Sequence, residues 1–254
     1  MERMVRVGTS GYQYTHWKNI LYPEYLPKKH WFGRYCEKFD TVELNTTFYH
    51  QPKDATYENW RAAAPPDFRY AVKYNRFGTH IKRLKDGPEH LERFLSGAER
   101  LRTKLGPILV QLPPNFKKNK ERLDEFLRAA PGRRRWAVEF RDPSWLDDDI
   151  YDLLHIHEAA MVIHDHIRDH PRIVTANWLY LRFHGGENNG LYSDRQLSEA
   201  ADFIQDSLDR APTAWVYFNN DLHGHAVHNA LELIDRLRRR GVPAGVGQVS
   251  KNSR

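Results

Sequence analysis

The chain has 254 residues, 40% of them hydrophobic and 13% aromatic, which excludes a disordered protein and supplies enough chain for a substantial core. Its formal charge of +6, from 39 Lys and Arg against 33 Asp and Glu, favours anionic partners but is too dispersed to demand nucleic acid. No apolar run approaches the roughly 18 residues of a membrane span. Met1–Val7 carries no secretory core, and a lone Cys36 excludes an intramolecular disulfide, so a cytoplasmic protein is expected.

Eight short apolar-rich segments predict strands: Val5–Thr9, Thr41–Asn45, Arg69–Lys73, Ile108–Gln111, Trp136–Phe140, Ala160–Ile163, Trp178–Phe183 and Ala214–Phe218. Helical spacing fills most of the gaps. Leu91, Phe94, Leu95, Ala98 and Leu101 share one face, as do Leu123, Phe126 and Leu127. Ser193 to Gln196 is a capping-box signal that opens a helix running through Leu208. Ala226, Val227, Ala230, Leu231, Ile234 and Leu237 form the last stripe, closed by Gly241 and Pro243.

This alternation predicts an α/β fold, a single (β/α)8 TIM-type barrel over residues 1–246, followed by a polar tail at 247–254. The stretch from Ile163 to Trp178 is too short for a full helix with its loops, so the sixth crossover is expected to be abbreviated. A doubly wound sheet is the alternative, but no Gly-x-Gly-x-x-Gly turn follows the first strand.

Polar residues end nearly every strand: Ser10, Asn45, Lys73, Gln111, Glu139 with Arg141, Asp165, Arg182 with His184, and Asn219 with Asn220; Glu43 lies one step deeper. A barrel gathers these ends at one mouth, where active sites of the fold lie. Glu43, Lys73, Glu139, Asp165 and Arg182 are therefore the candidate catalytic residues. Ser10, Tyr12, Asn45, Gln111, Arg141, His184, Gly185, Gly186, Asn219 and Asn220 are the candidate substrate or anion contacts. The competing reading is a structural layer in which Glu43 and Glu139 balance Lys73 and Arg182.

Three weaker signals surround this set. His184-Gly-Gly-Glu187 and Asn219 to His225 follow strands seven and eight, where barrels often seat phosphate on backbone N–H groups. His164, His166, His184, His223 and His225, with Glu43 and Glu139, allow a divalent metal, but no metal-binding spacing requires one, so the cofactor is left open. Tyr12, Tyr14, Trp17, Tyr22 and Tyr25, then Phe48, Tyr49 and Trp145, either stack a base or sugar or form a packed lid. The basic runs Lys117–Arg122, Arg133–Arg135 and Arg238–Arg240 read as solvated surface.

Several of these motifs, taken together, resemble a known family. They are Gly8-Thr-Ser-Gly-Tyr12 with His16-Trp17 and Tyr22-Pro23, Val42-Glu-Leu-Asn-Thr-Thr-Phe-Tyr49, Phe68–Lys73 with Thr79-His80, and Gln111-Leu-Pro-Pro114. Ala137-Val-Glu-Phe-Arg141 with Ser144-Trp145, Asp165, Tyr180-Leu-Arg-Phe-His-Gly185 and Phe218-Asn-Asn220 continue the series. In order, and over nearly the whole chain, they are similar to the domain-of-unknown-function 72 family. The resemblance implies a (β/α)8 barrel and no particular reaction.

The residues themselves favour an enzyme, of hydrolytic type, acting at the mouth on a polar anionic substrate such as a phosphate ester, nucleotide or nucleic-acid strand. A sugar isomerase, epimerase or glycosidase is the first alternative. A nucleotide or single-strand binding module without turnover is the second. No obligate protein partner is evident.

Overall fold

The structure, a computed structural model, describes residues 3–85, 87–185 and 189–246. Eight parallel strands follow in the order β1-β8-β7-β6-β5-β4-β3-β2. They are β1 (Met4–Thr9), β2 (Thr41–Leu44), β3 (Arg69–Lys73), β4 (Leu105–Gln111), β5 (Trp136–Glu139), β6 (Ala160–His164), β7 (Trp178–Phe183) and β8 (Thr213–Phe218). Between them run α1 (Trp31–Cys36), α2 (Thr46–Tyr49) with α3 (Asp54–Ala63), α4 (Pro88–Ala98), α5 (Lys120–Ala129), α6 (Asp148–Ile156) and α7 (Asp194–Ser207); α8 (His225–Arg239) follows β8. No helix joins β6 to β7, so the sixth crossover is abbreviated as its length predicts. The tail at 247–254 lies outside the described residues.

The edges of the sheet, β1 and β2, meet at a bridge between Ser10 and Glu43, where Gly11 N–H donates to the Glu43 carbonyl at 3.0 Å. The closure rules out the doubly wound alternative. The seam is tight: a Cβ at Gly8 would stand 2.3 Å from the Thr41 carbonyl oxygen, so only glycine fits. Tyr35 of α1 stitches it. Its hydroxyl accepts from Thr9 N–H at 3.1 Å and donates to the Thr41 carbonyl at 2.9 Å.

Side chains alternate across each strand, and the two faces build two separate cores. Inside the barrel, Ala71, Leu109, Ala137, Ala160 and Val162 are small or aliphatic, and the space they leave is filled by Trp178, Tyr180, Trp215 and Tyr217. Outside, Val138, Phe140, Leu179, Leu181, Val216 and Phe218 pack against the helices. The predicted capping box is present on α7 between Ser193 and Gln196. β4 begins at Leu105, earlier than the predicted Ile108, because Gly106-Pro107 sits in a register shift against β3 and so mimics a turn in the sequence. Cys36 packs at the end of α1, and burial pushes its thiol up to about 12, which leaves it unreactive.

Candidate functional site

Period two places Tyr180, Arg182 and His184 on the interior face of β7 and its extension, and Glu139 with Arg141 on that of β5. At the C-terminal end of the barrel these meet Glu43 of β2, Lys73 of β3 and Gln111 of β4. Arg182 is the hub. Its Nη2 donates to Glu43 Oε1 at 2.7 Å and its Nη1 to Glu139 Oε2 at 2.5 Å. Glu43 accepts further bonds from Ser10 Oγ at 2.8 Å and the Tyr180 hydroxyl at 2.7 Å. Glu139 is also held by Arg141 Nε. Lys73 Nζ donates to Gln111 Oε1 at 2.7 Å and lies 4.2 Å from the centre of the Phe48 ring.

The layer is stratified by depth. Glu43 and Glu139 are 0% exposed and the Arg182 side chain 2%. Arg141, Gln111 and Asn45 are half-buried above them, and Asp165 is exposed. Burial opposes ionisation of Glu139, but the charges of Arg182 and Arg141 outweigh it and hold the carboxyl well below its usual range. Burial works against the Arg182 charge as well, and Glu139 and Glu43 raise it above its ordinary value. Among the described residues, no carboxylate is bonded to Lys73. Burial, then the Arg182 charge, lower it to about 8.

Burial disfavours the charged form of the histidines beside Glu139. Burial lowers His164 to about 4 and depresses His184 further. His164 Nε2 lies 2.7 Å from the Phe140 carbonyl oxygen, and its Nδ1 is 3.2 Å from the His166 N–H, so both ring nitrogens are engaged. Among the described residues no group of three or more His, Cys, Asp or Glu is disposed to hold a metal ion.

Of the predicted catalytic residues, Glu43, Lys73, Glu139 and Arg182 share this network, with Ser10, Gln111 and Arg141. Asp165 stands at its edge, where its carboxylate accepts from His184 N–H at 3.0 Å and from the Tyr192 hydroxyl. Asn45 is at the rim, with a buried Oδ1 that has no hydrogen-bond partner among the described residues. Other expectations need correcting. Tyr12 packs outward against Phe32 and Tyr35, because the chain turns away from the mouth after Gly11. The backbone N–H groups expected to seat phosphate are already satisfied: His184 on Asp165, Gly185 on the Tyr192 hydroxyl at 2.6 Å, and Asn219 on the Phe183 carbonyl at 2.7 Å. The Asn219 side chain lies 3.1 Å from His184 Nδ1. Asn220 is buried and ties Gly190 to Asn229, at 2.6 and 2.9 Å. Gly186 lies outside the described residues.

Sequence reasoning missed Tyr180, although its place two residues before Arg182 on an alternating strand marks it as interior. It also missed Tyr192, which arrives from a loop; Tyr14, one of the aromatics expected to stack a ligand or form a lid, donates its hydroxyl to the Ser10 carbonyl at 2.6 Å. The loop after β1 is strapped to the loop after β8 through Asp221. The carboxylate accepts from Trp17 Nε1 at 2.6 Å and lies 2.8 Å from His16 Nε2.

Comparison with known proteins agrees with this architecture. The family described as "Protein of unknown function DUF72" matches residues 6–251. The UPF0759 protein YunF of Bacillus subtilis (strain 168) is 23% identical over 271 residues, covering 92% of this chain and 95% of YunF. The UPF0759 protein YecE of Escherichia coli (strain K12) is 31% identical over 112 residues, 44% of this chain; that match spans only 41% of YecE. A crystal structure of a DUF72 family protein from Thermotoga maritima MSB8 superposes with a TM-score of 0.83 at 31% identity, covering 92% of this chain and 99% of that one. A second, from Enterococcus faecalis V583, has the same fold, with a TM-score of 0.79 at 21% identity over 92% and 96% of the two chains. The motifs at the strand ends, the closed eight-stranded barrel and the nearly full-length family match together place this chain in the DUF72 family.

Proposed function

We propose that the chain is an enzyme that hydrolyses a phosphate ester, of the nucleotide or nucleic-acid class, at the C-terminal mouth of its barrel. Lys73 is the observation that carries this reading. It is a cation lowered to about 8, at a strand end, above a layer of fixed charge. Such a group is mostly protonated at neutral pH, holds a phosphoryl oxygen, and can pass its proton to a departing alkoxide. Arg141, fixed through Nε to Glu139 and with Nη2 3.4 Å from His184 Nε2, offers Nη1 to a second oxygen. Asp165, open to solvent and steadied by His184 and Tyr192, takes the role of base toward water. Glu43, Glu139 and Arg182 act as positioning residues, too deep to touch substrate.

The rim suits the body of such a substrate. Tyr25, Tyr49, Phe77, Ile81, Leu191 and Leu222 are large apolar side chains left exposed, all in the segments that connect a strand's C-terminal end to the next main helix. A cleft of about 280 Å³ lies among Tyr49, Phe77, Arg76 and Arg93. A larger one, about 650 Å³, opens beside Asp165 where a sixth helix would have packed, with His166, Arg168 and Arg172 in its walls. Flat side chains alternating with cations fit an extended anionic chain. Glycosidase chemistry is less well served, because Arg182 bridges the two carboxylates that would have to face a sugar.

The apolar crown also suits a binding module, and one experiment separates the two. The full chain is incubated with bis(p-nitrophenyl) phosphate and with a labelled single-stranded oligonucleotide. Product from the wild type, reduced about 100-fold or more in Lys73→Met, supports hydrolysis. Salt-dependent retention of the oligonucleotide with no product on long incubation would assign a binding module instead. Neither turnover nor retention would end both readings.

A further inference from the structure

The end of the barrel opposite the mouth gathers arginines from three places. Arg6 is the third residue of β1, Arg69 opens β3, and Arg133, Arg134 and Arg135 lead into β5; all five line one cleft of about 420 Å³. Among the described residues, only two carboxylates are bonded to them. Arg6 Nη1 donates to Asp40 Oδ2 at 2.7 Å, while Arg133 and Arg134 share Glu99 Oε1 at 2.6 and 2.9 Å. Among the described residues, neither Arg69 nor Arg135 makes an ion pair. Arg69 donates to the carbonyls of Pro66 and Phe68, at 3.1 and 3.0 Å.

Trp215 supplies the floor. The guanidinium carbons of Arg6 and Arg135 lie 5.6 and 5.9 Å from its ring centre. The side chain is 3% exposed, yet its Nε1–H is buried and finds no acceptor among the described residues. Gly106 makes room for it, since a Cβ there would stand 3.0 Å from the indole. An unpartnered buried donor is uncommon in a folded protein. Guanidinium groups crowded into a concave, partly dry cleft repel one another and concentrate positive potential. Burial and the neighbouring Arg6 charge accordingly push Arg69 below its usual range.

We propose that this cleft is a second binding site, separate from the mouth, for a ligand carrying linked phosphate groups. Planar N–H forks arriving from several directions match the many oxygens of a diphosphate or triphosphate better than a single carboxylate. The cleft's volume also exceeds the needs of one small anion. The inference does not depend on the chemistry at the mouth. It reverses the expectation that Arg133–Arg135 is merely solvated surface.

The test is calorimetric titration of the full chain with pyrophosphate and with tripolyphosphate at constant ionic strength, with sulfate as a control. Saturable one-to-one binding is expected. It should weaken about tenfold or more when Arg69→Gln and Arg135→Gln are combined, and change less than about twofold in the mouth variant Lys73→Met. Should the double variant fail to fold, Arg135→Gln alone decides, because that side chain is exposed, and a loss of at least about threefold is expected. No saturable binding of either probe, equal affinity for sulfate, undiminished binding by the arginine variants, or loss of binding in Lys73→Met would each overturn the proposal.

Discussion

Arg182 and Glu139 face each other inside the barrel from strands separated by β6, with Nη1 donating to Oε2 at 2.5 Å. The same guanidinium reaches Glu43 across the barrel, so one cation locks two carboxylates that would otherwise repel. Fixed in this way, the layer forms a floor of charge beneath Lys73 and Arg141. Burial, with the Arg182 charge second, lowers the Lys73 pKa, and Glu139 sets the orientation of Arg141.

Removing the hub should be severe. Arg182→Met leaves the buried Glu43 with no ion-pair partner among the described residues and Glu139 with Arg141 alone, and a broken buried pair costs about 3–5 kcal/mol. Urea denaturation should show at least that loss. Combining Arg182→Met with Glu43→Gln and Glu139→Gln should recover much of it, because the charges then disappear together. A single variant costing under about 1 kcal/mol would mean that water or a counter-ion already solvates the layer.

Lys73 should impose a cost on the fold that disappears in alkali. Its folded pKa, about 8, lies below the ordinary 10.5. Between these values the unfolded chain holds a proton that the folded chain has released, so its contribution makes stability rise with pH through this window. Below about 8 the buried charge is fully present. Lys73→Met should therefore be more stable than the wild type at pH 7 by about 1–2 kcal/mol, with the difference shrinking toward pH 10. Matched urea curves at pH 7 and pH 10 check this. A constant difference, or a destabilised variant at pH 7, would contradict it. A residue retained against stability is what a working site predicts.

Acid should act through the histidines first. His164 is lowered from 6.5 to about 4 by burial, and His184 is depressed by the same cause. As pH falls below 6.5 the unfolded chain binds protons that the fold refuses. Each such group then removes up to about 1.4 kcal/mol per pH unit. Glu139, held below its usual range, adds stability that is fully present above the ordinary carboxylate pKa of 4.5 and lost only in stronger acid. Stability measured from pH 7 to pH 4 should fall from the start of that window, and His164→Gln should flatten the slope. A plateau down to pH 4.5 would show that these rings titrate normally.

The sequence made the strands legible because sheets covered on both faces leave apolar runs, and β3 and β7 coincide with their predicted limits. The strand-end polar residues were equally legible, since closure of a barrel alone brings Glu43, Lys73, Glu139 and Arg182 together. What sequence could not supply was burial and direction. The sequence put Glu43 one step deeper than Asp165, but did not show that Glu43 is sealed under Arg182 and Tyr180 while Asp165 stands in solvent. Tyr12 follows a strand but turns outward because Gly11, at φ 94°, redirects the chain. Arg133–Arg135 read as solvated surface because Arg6 and Arg69, which share their cleft, come from two distant segments.

The most direct test of the account is the turnover of bis(p-nitrophenyl) phosphate by the wild type, Lys73→Met and Arg141→Met, with the doubly substituted Arg69→Gln, Arg135→Gln chain as control. Hydrolysis by the wild type and by the control, reduced about 100-fold in each mouth variant whose fold is intact, is the predicted result. Hydrolysis that survives both mouth substitutions would place the chemistry elsewhere and contradict it.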